Sequence, residues 1–108
     1  MKHKLIALLL CAGISSIANA QDKDEPAGKQ LILKSDCKAC HTEKNKLVGP
    51  SYKDIAAKYP SNSKNITLLA GKIIKGGSGV WGQIPMAPHP QMNKKEAEEM
   101  VKYILTVK

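Results

Sequence analysis

The feature that most constrains this chain is the run Cys37-Lys38-Ala39-Cys40-His41, a C-x-x-C-H pattern. Two thiols at this spacing add across the two vinyl groups of one porphyrin edge, and the histidine that follows ligates the iron. The pattern therefore predicts one covalent haem c, attached at Cys37 and Cys40, with His41 as an axial ligand. The second ring nitrogen of such a histidine is expected to donate to a carbonyl that fixes the ring.

Three other uses of these residues explain less. A thioredoxin-like redox pair follows a strand in a βαβ unit, which this chain lacks, and gives His41 no role. A structural zinc site needs a fourth ligand, but beyond residue 41 only His89 remains. A disulfide between Cys37 and Cys40 is chemically allowed in an oxidising compartment, but it adds no apolar bulk to a small core.

The first twenty residues predict export. Lys2, His3 and Lys4 precede an apolar run over residues 5–14, and Ala18-Asn19-Ala20 forms an A-x-A cleavage site. The run is too short to span a bilayer, so an uncleaved anchor is disfavoured. Leu10 before Cys11 argues against a lipoprotein signal. We expect residues 1–20 to be a signal peptide that is removed, and residues 21–108 to form one soluble domain without stable membrane insertion.

The expected mature chain is small, basic and poor in aromatic residues. The first twenty residues hold two of the 17 lysines and none of the nine acidic residues, so residues 21–108 carry a net charge of +6. A domain of this size is marginal without a disulfide, metal or cofactor, and a buried haem would supply apolar bulk. The charge favours acidic partners over nucleic acid, because the chain has no arginine and no aromatic-plus-basic stacking pattern.

Helical periodicity predicts an all-α, single-domain chain with about four helices. The first starts near Pro26 and runs to the cysteine motif, and the second covers residues 51–59. The third is capped by Asn65 and ends at Gly76-Gly77. The fourth starts at an Asn93/Glu96 capping box and reaches almost to Lys108; its apolar face consists of Ala97, Met100, Val101, Ile104 and Leu105. Residues 76–91 are rich in glycine and proline, which predicts a structured loop.

The second axial position of the iron decides the function, and its candidates are Met86, Met92, Met100 and His89. A methionine thioether raises the reduction potential, and a haem with two axial ligands has no ready site for substrate. Met100 lies on an apolar helix face and Met92 just before a helix cap, which favours packing for both. Met86 lies in a proline-braced loop that stiffens its position, so we expect it to be the ligand. A bis-histidine haem through His89 stays open as the alternative.

Three further segments carry a resemblance to a known family. They are Val-Gly-Pro at residues 48–50, the run YKDIAAKY at residues 52–59, and GVWG leading into IPM at residues 79–86. With these segments the chain from residue 21 onward resembles class I c-type cytochromes, specifically the short bacterial five-fifty-one type. The resemblance implies the class I cytochrome c fold wrapped around one haem, with the first and last helices crossing near Tyr103.

The resemblance also implies roles for individual residues. Pro50 would offer its carbonyl to the His41 ring, Met86 would be the distal ligand, and Trp81 would direct its indole N–H to a haem propionate. Lys72 stands where such proteins often carry an arginine to a propionate, and a lysine lacks the bidentate fork. His89 stands where they often carry an asparagine near the ligand sulfur.

Together these features predict a periplasmic one-electron carrier, not an enzyme, that works between a membrane respiratory donor and a terminal reductase or oxidase. Lys34, Lys38, Lys44 and Lys46 would form a basic collar that guides brief docking of a monomer onto acidic redox partners. A haem sensor or weak peroxidase is the alternative from another class, and it requires an open distal site. A haem domain of a larger redox enzyme is the third.

Overall fold

The computed structural model describes residues 12–13 and 25–108 of the chain. Apart from residues 12–13, the expected signal peptide and its cleavage site lie outside the described residues. The described part contains no strand and is built from α1 (Ala27–Leu33), a 3₁₀ turn (Cys37–Ala39), α2 (Tyr52–Lys58), α3 (Ser63–Lys75) and α4 (Lys94–Ile104). The all-α prediction is thus confirmed. None of these helices has the length and apolarity that crossing a membrane requires.

Side chains cap the starts of α2, α3 and α4, and of these the sequence predicted the cap of α4. The Ser51 hydroxyl accepts from the Asp54 N–H at 3.0 Å at the start of α2. At the start of α4 the Asn93 side chain accepts from the Glu96 N–H at 2.8 Å, and the Glu96 carboxylate accepts from the Asn93 N–H. The capping box is therefore confirmed, since both of its partners lie within one helical turn.

The predicted cap of α3 was wrong by one turn. Asn62 is the cap, because its Oδ1 accepts the Asn65 N–H at 2.9 Å. The Asn65 side-chain amide instead donates to the Pro60 carbonyl at 2.8 Å, which draws the chain into the helix earlier. Gly76 ends the helix as predicted, with φ of 68° that glycine adopts without strain.

Two helix ends also differ from the prediction. α1 stops at Leu33, short of the cysteine motif, where the Ser35 hydroxyl donates to the Leu31 carbonyl at 2.7 Å. α4 stops at Ile104, because the N–H groups of Thr106 and Val107 bond three residues back in a tighter turn, to the carbonyls of Tyr103 at 2.9 Å and Ile104 at 3.1 Å. In both places local hydrogen bonds compete with the α-helical pattern.

α4 forms the centre of the core, and α1 and α3 pack against it. Its predicted apolar face is buried at every position, namely Ala97, Met100, Val101, Ile104 and Leu105. α1 crosses α4 at Gly28, where an added Cβ would collide with the Glu99 carbonyl oxygen and lie 2.9 Å from the Tyr103 Cβ. The expected crossing of the first and last helices near Tyr103 is therefore confirmed. The Tyr103 hydroxyl donates to the Glu43 carboxylate at 2.6 Å, and burial followed by this bond raises the pKa of Tyr103 to about 12.

The crossing predicts opposite effects for two Gly→Ala substitutions. Gly28→Ala should lower the free energy of unfolding by about 1–3 kcal/mol, because the new methyl group meets the backbone of α4. Gly71→Ala in α3 has nothing within 4 Å of the new methyl group and should raise it by about 0.5–1 kcal/mol. Denaturant unfolding of the haem-loaded variants measures both. A Gly28→Ala protein as stable as the parent would mean that α1 and α4 do not touch at this point.

Candidate haem site

One cavity of about 290 Å³ lies between the helices and the loop that follows α3. Its walls come from the cysteine motif, the start of α2, the end of α3, the loop and the buried face of α4. The structure brings all seven site residues predicted from the sequence to this cavity: Cys37, Cys40, His41, Pro50, Lys72, Trp81 and Met86.

The two cysteines lie on the cavity wall as free thiols. Cys37 is half-buried and begins the 3₁₀ turn, whereas Cys40 is exposed just after it. The His41 N–H donates to the Cys37 carbonyl at 2.9 Å, which folds the motif tightly. Burial, with a smaller contribution from the Asp36 carboxylate, raises the pKa of the Cys37 thiol. Because both cysteines are free and line the cavity, both sulfurs can form bonds with a group held there.

The His41 ring is held in place on three sides. Its Nδ1 lies 2.7 Å from the Pro50 carbonyl oxygen, so this nitrogen carries the hydrogen and donates it. The Tyr52 ring stacks on it at 5.7 Å between centroids, and a Cβ added at Gly49 would come within 2.6 Å of His41 Cε1. Nε2 has no hydrogen-bond partner within residues 25–108. A ring fixed through Nδ1 with a free Nε2 is what an axial ligand requires.

Tyr52 is a site residue that the sequence did not reveal. Its ring is buried, and its hydroxyl is the one buried side-chain polar atom of the described residues without a hydrogen-bond partner. Burial raises the pKa of this hydroxyl well above its usual value. The predicted second helix includes Tyr52, but no local signal indicated the unpartnered hydroxyl.

Met86 lies on the loop and is tied to the end of α3 through its backbone. Its N–H donates to the Gly77 carbonyl at 2.8 Å, and the Gly77 N–H donates back to the Met86 carbonyl at 3.1 Å. Gly76 packs so closely that an added Cβ would collide with the Met86 carbonyl. Met92 is half-buried and does not line the cavity, whereas Met100 lines it as a fully buried core residue of α4.

His89 also lines the cavity, but both of its ring nitrogens have partners. Nδ1 lies 3.1 Å from the Ile73 carbonyl oxygen and Nε2 lies 2.8 Å from Asp36 Oδ1. The ring is buried, with 8% of the residue exposed. Asp36 is a second residue that the sequence did not bring to the site, because it is 53 positions away from its partner.

Trp81 and Lys72 lie at the mouth of the cavity, and both are exposed. Lys58 Nζ lies over the Trp81 ring, 5.5 Å from its centroid, and 5.9 Å from the centroid of the Tyr59 ring. Such cation–π contacts fix a ring at a surface. The sequence did not single out Lys58, and the propionate roles of Lys72 and Trp81 stay predictions.

The residues present fit a covalently attached haem. Two free thiols, a histidine with one free ring nitrogen and an orphaned hydroxyl meet at a cavity whose walls are mainly apolar. A site with these features is completed by a large apolar group. Within the described residues no cluster of three or more His, Cys, Asp or Glu side chains could hold a metal ion by itself, which leaves the zinc alternative without a donor set there.

Comparisons with known proteins agree with this fit. The family model described as Cytochrome c matches residues 26–108. Cytochrome c-552 of Nitrosomonas europaea is 49% identical over 82 residues, which cover 76% of this chain and 80% of that protein. Cytochrome c-552 of Hydrogenobacter thermophilus is 41% identical over 99% of this chain and 98% of its own length.

Solved structures give the same result. The crystal structure of wild-type Nitrosomonas europaea cytochrome c552 superposes with a TM-score of 0.69 at 49% identity, covering 74% of this chain and 99% of that one. The class 1 cytochrome MtoD from Sideroxydans lithotrophicus ES-1 superposes with a TM-score of 0.62 at 24% identity and covers 92% of that chain, a likeness that concerns the fold alone.

Proposed function

The chain belongs to the cytochrome c family, as a small class I member with one covalently bound haem c, and from this membership we propose that it is a one-electron carrier of the periplasm. Residues 1–20 direct export and are removed, so that the mature protein begins at Gln21. It takes electrons from a membrane respiratory donor and passes them to a terminal reductase or oxidase. It acts as an electron-transfer protein and not as an enzyme.

The observation that carries this proposal is that His41 and Met86 line the same cavity as the two thiols. When bound, the haem supplies the chemistry by gaining and losing one electron at its iron. The Pro50 carbonyl keeps His41 Nδ1 protonated and leaves Nε2 for the iron. The backbone pair with Gly77 holds Met86 at the cavity, where its sulfur would be the second ligand. His41 and Met86 would then both hold the iron, which would leave no coordination site for substrate.

The engaged ring of His89 supports the carrier over the sensor or peroxidase alternative. A peroxidatic site needs a vacant distal position and a free acid-base group beside it. His89 is the one histidine of the distal loop, and its two nitrogens already bond to Ile73 and Asp36. The same geometry supports Met86 over His89 as the distal ligand.

We place the docking surface for acidic redox partners at the mouth of the cavity. Val48, Val80 and Ile84 are exposed apolar residues there, and Lys46 borders the depression that Trp81 and Ile84 line. Lys34, Lys38 and Lys44 complete the basic collar as exposed residues. A small apolar contact with a charged rim suits a brief encounter of this protein, as a monomer, with a redox partner.

The basic collar predicts that the effect of a lysine substitution on the rate of electron transfer depends on where the lysine lies. Hexacyanoferrate(III), an anionic oxidant, should oxidise the reduced protein more slowly as ionic strength rises, because salt screens the attraction. Lys46→Glu should slow this reaction about twofold to fivefold at low salt, and the difference should shrink at high salt. Stopped-flow absorption measures these rates.

Lys95→Glu is the matched control, because it changes the net charge by the same amount. Lys95 is an exposed residue of α4 that lines neither the cavity nor the depression beside Trp81. It should slow the reaction much less than Lys46→Glu. Equal slowing by both variants would mean that only net charge matters, which contradicts the collar.

A further inference from the structure

His89 joins two separate parts of the fold through one buried ring. Nδ1 faces the Ile73 carbonyl oxygen on α3 at 3.1 Å, and Nε2 faces Asp36 Oδ1 at 2.8 Å. The His89 backbone N–H also donates to the carbonyls of Ile73 and Ile74, at 3.1 and 3.0 Å. The residue is therefore fixed to the end of α3 by its backbone, while its ring reaches across to the cysteine motif.

Both ring contacts require a hydrogen on the histidine. A carbonyl and a carboxylate are acceptors, and a neutral imidazole has only one N–H, so only the doubly protonated ring donates to both. A ring with hydrogen on both nitrogens makes the bond to Asp36 a charge-assisted hydrogen bond. Its two ends differ in environment, because the His89 side chain is 10% exposed and the Asp36 side chain 72%.

The His89–Asp36 pair joins two segments of the candidate haem site. His89 follows Met86 by three residues on the same loop, and Asp36 directly precedes Cys37. The bond thus connects the loop with the proposed distal ligand to the segment with the first attachment thiol. Apart from it, the loop near Met86 is held mainly by backbone hydrogen bonds. Met86 pairs with Gly77, two residues beyond the end of α3, and His89 bonds to Ile73 and Ile74 of α3.

We propose that the His89–Asp36 pair is a latch that keeps the Met86 loop closed over the haem and so keeps small external ligands off the distal face of the iron. The proposal rests on the proposed function, in which Met86 is the distal ligand. His89 and Asp36 act as positioning residues, because they work through the loop and not on the iron. Opening the latch lets a ligand such as imidazole displace the Met86 sulfur more easily.

Imidazole titration of the oxidised, haem-loaded protein tests the latch, with binding followed by haem absorption. Asp36→Asn removes the charge of the exposed partner and should tighten imidazole binding about fivefold. The hydrogen bond is of intermediate strength, because one partner is buried and the other is exposed. His89→Gln should tighten it at least as much. The double variant should bind imidazole about as tightly as His89→Gln alone, because both changes remove the same interaction.

Tyr103→Phe is the matched control for a general loss of stability. It removes another side-chain bond between distant segments, the 2.6 Å bond to Glu43, on a part of α4 away from the loop. It should lower the melting temperature and leave imidazole affinity unchanged. If Asp36→Asn leaves the affinity unchanged, or if Tyr103→Phe raises it as much, the latch is overturned.

Met86→Ala separates failure of the latch from failure of the proposed function. This variant should bind imidazole at least tenfold more tightly than Asp36→Asn, since nothing then competes for the iron. If it does so while Asp36→Asn matches the parent, only the latch is overturned. If Met86→Ala binds no more tightly than the parent, Met86 is not the ligand, and the latch is overturned together with it.

Discussion

Replacing Met86 with alanine is expected to abolish the far-red absorption band that a methionine sulfur on ferric haem iron produces. No other sulfur takes its place, because Met92 does not line the cavity and Met100 is packed in the core of α4. Loss of the thioether should also lower the reduction potential by on the order of 0.1 V, within the range of about 0.8 V over which axial ligands set haem potentials. Absorption spectra and a redox titration of the purified variant measure both effects.

Met92→Ala is the matched control for this experiment. It removes the same side chain from a half-buried position beside the core and away from the cavity. Its far-red band and potential should equal those of the parent. A band that persists in Met86→Ala, or that disappears in Met92→Ala, would refute Met86 as the distal ligand.

Replacing both cysteines is expected to have the second large effect. The parent, once denatured, should have the mass of residues 21–108 plus one haem, because thioether bonds survive denaturation. Cys37→Ala with Cys40→Ala should have the bare polypeptide mass and should lose most of its helical circular dichroism. A chain this small, with a cavity of about 290 Å³ at its centre, buries too little apolar surface alone.

The single variant Cys37→Ala is the control, because it keeps one attachment point and should keep the haem mass. Intact-mass spectrometry separates the outcomes. A double variant that still carries the haem mass after denaturation would disprove attachment at these thiols. A parent mass that includes residues 1–20 would disprove removal of the signal peptide.

The sequence predicted those parts of the fold that depend on neighbouring residues. The Asn93/Glu96 capping box and the buried face of α4 follow from contacts within one or two helical turns. The cap of α3 could not be predicted equally well, because Asn62 and Asn65 are both good caps. The choice depends on a contact of the Asn65 side chain with the Pro60 carbonyl, which only the folded turn reveals.

The candidate site likewise has residues that the sequence predicted and residues that it could not. The motif that contains Cys37, Cys40 and His41 is local and was readable at once, and the resemblance indicated the Pro50 carbonyl. The pairing of His89 with Asp36 had no local signal, because it joins positions 53 apart and depends on how the loop packs against α3. The sequence left four candidates for the distal ligand, and the choice of Met86 stays a prediction that the geometry supports.

A redox titration of the haem-loaded parent, followed in the haem absorption bands, tests whether the protein carries single electrons. We expect one reversible transition in which the potential changes by about 59 mV for each tenfold change in the ratio of oxidised to reduced protein, the slope of a one-electron couple. We also expect a reduced haem that stays six-coordinate and does not take up carbon monoxide on mixing. A two-electron slope, or rapid binding of carbon monoxide by the reduced protein, would contradict a one-electron carrier with both axial positions filled.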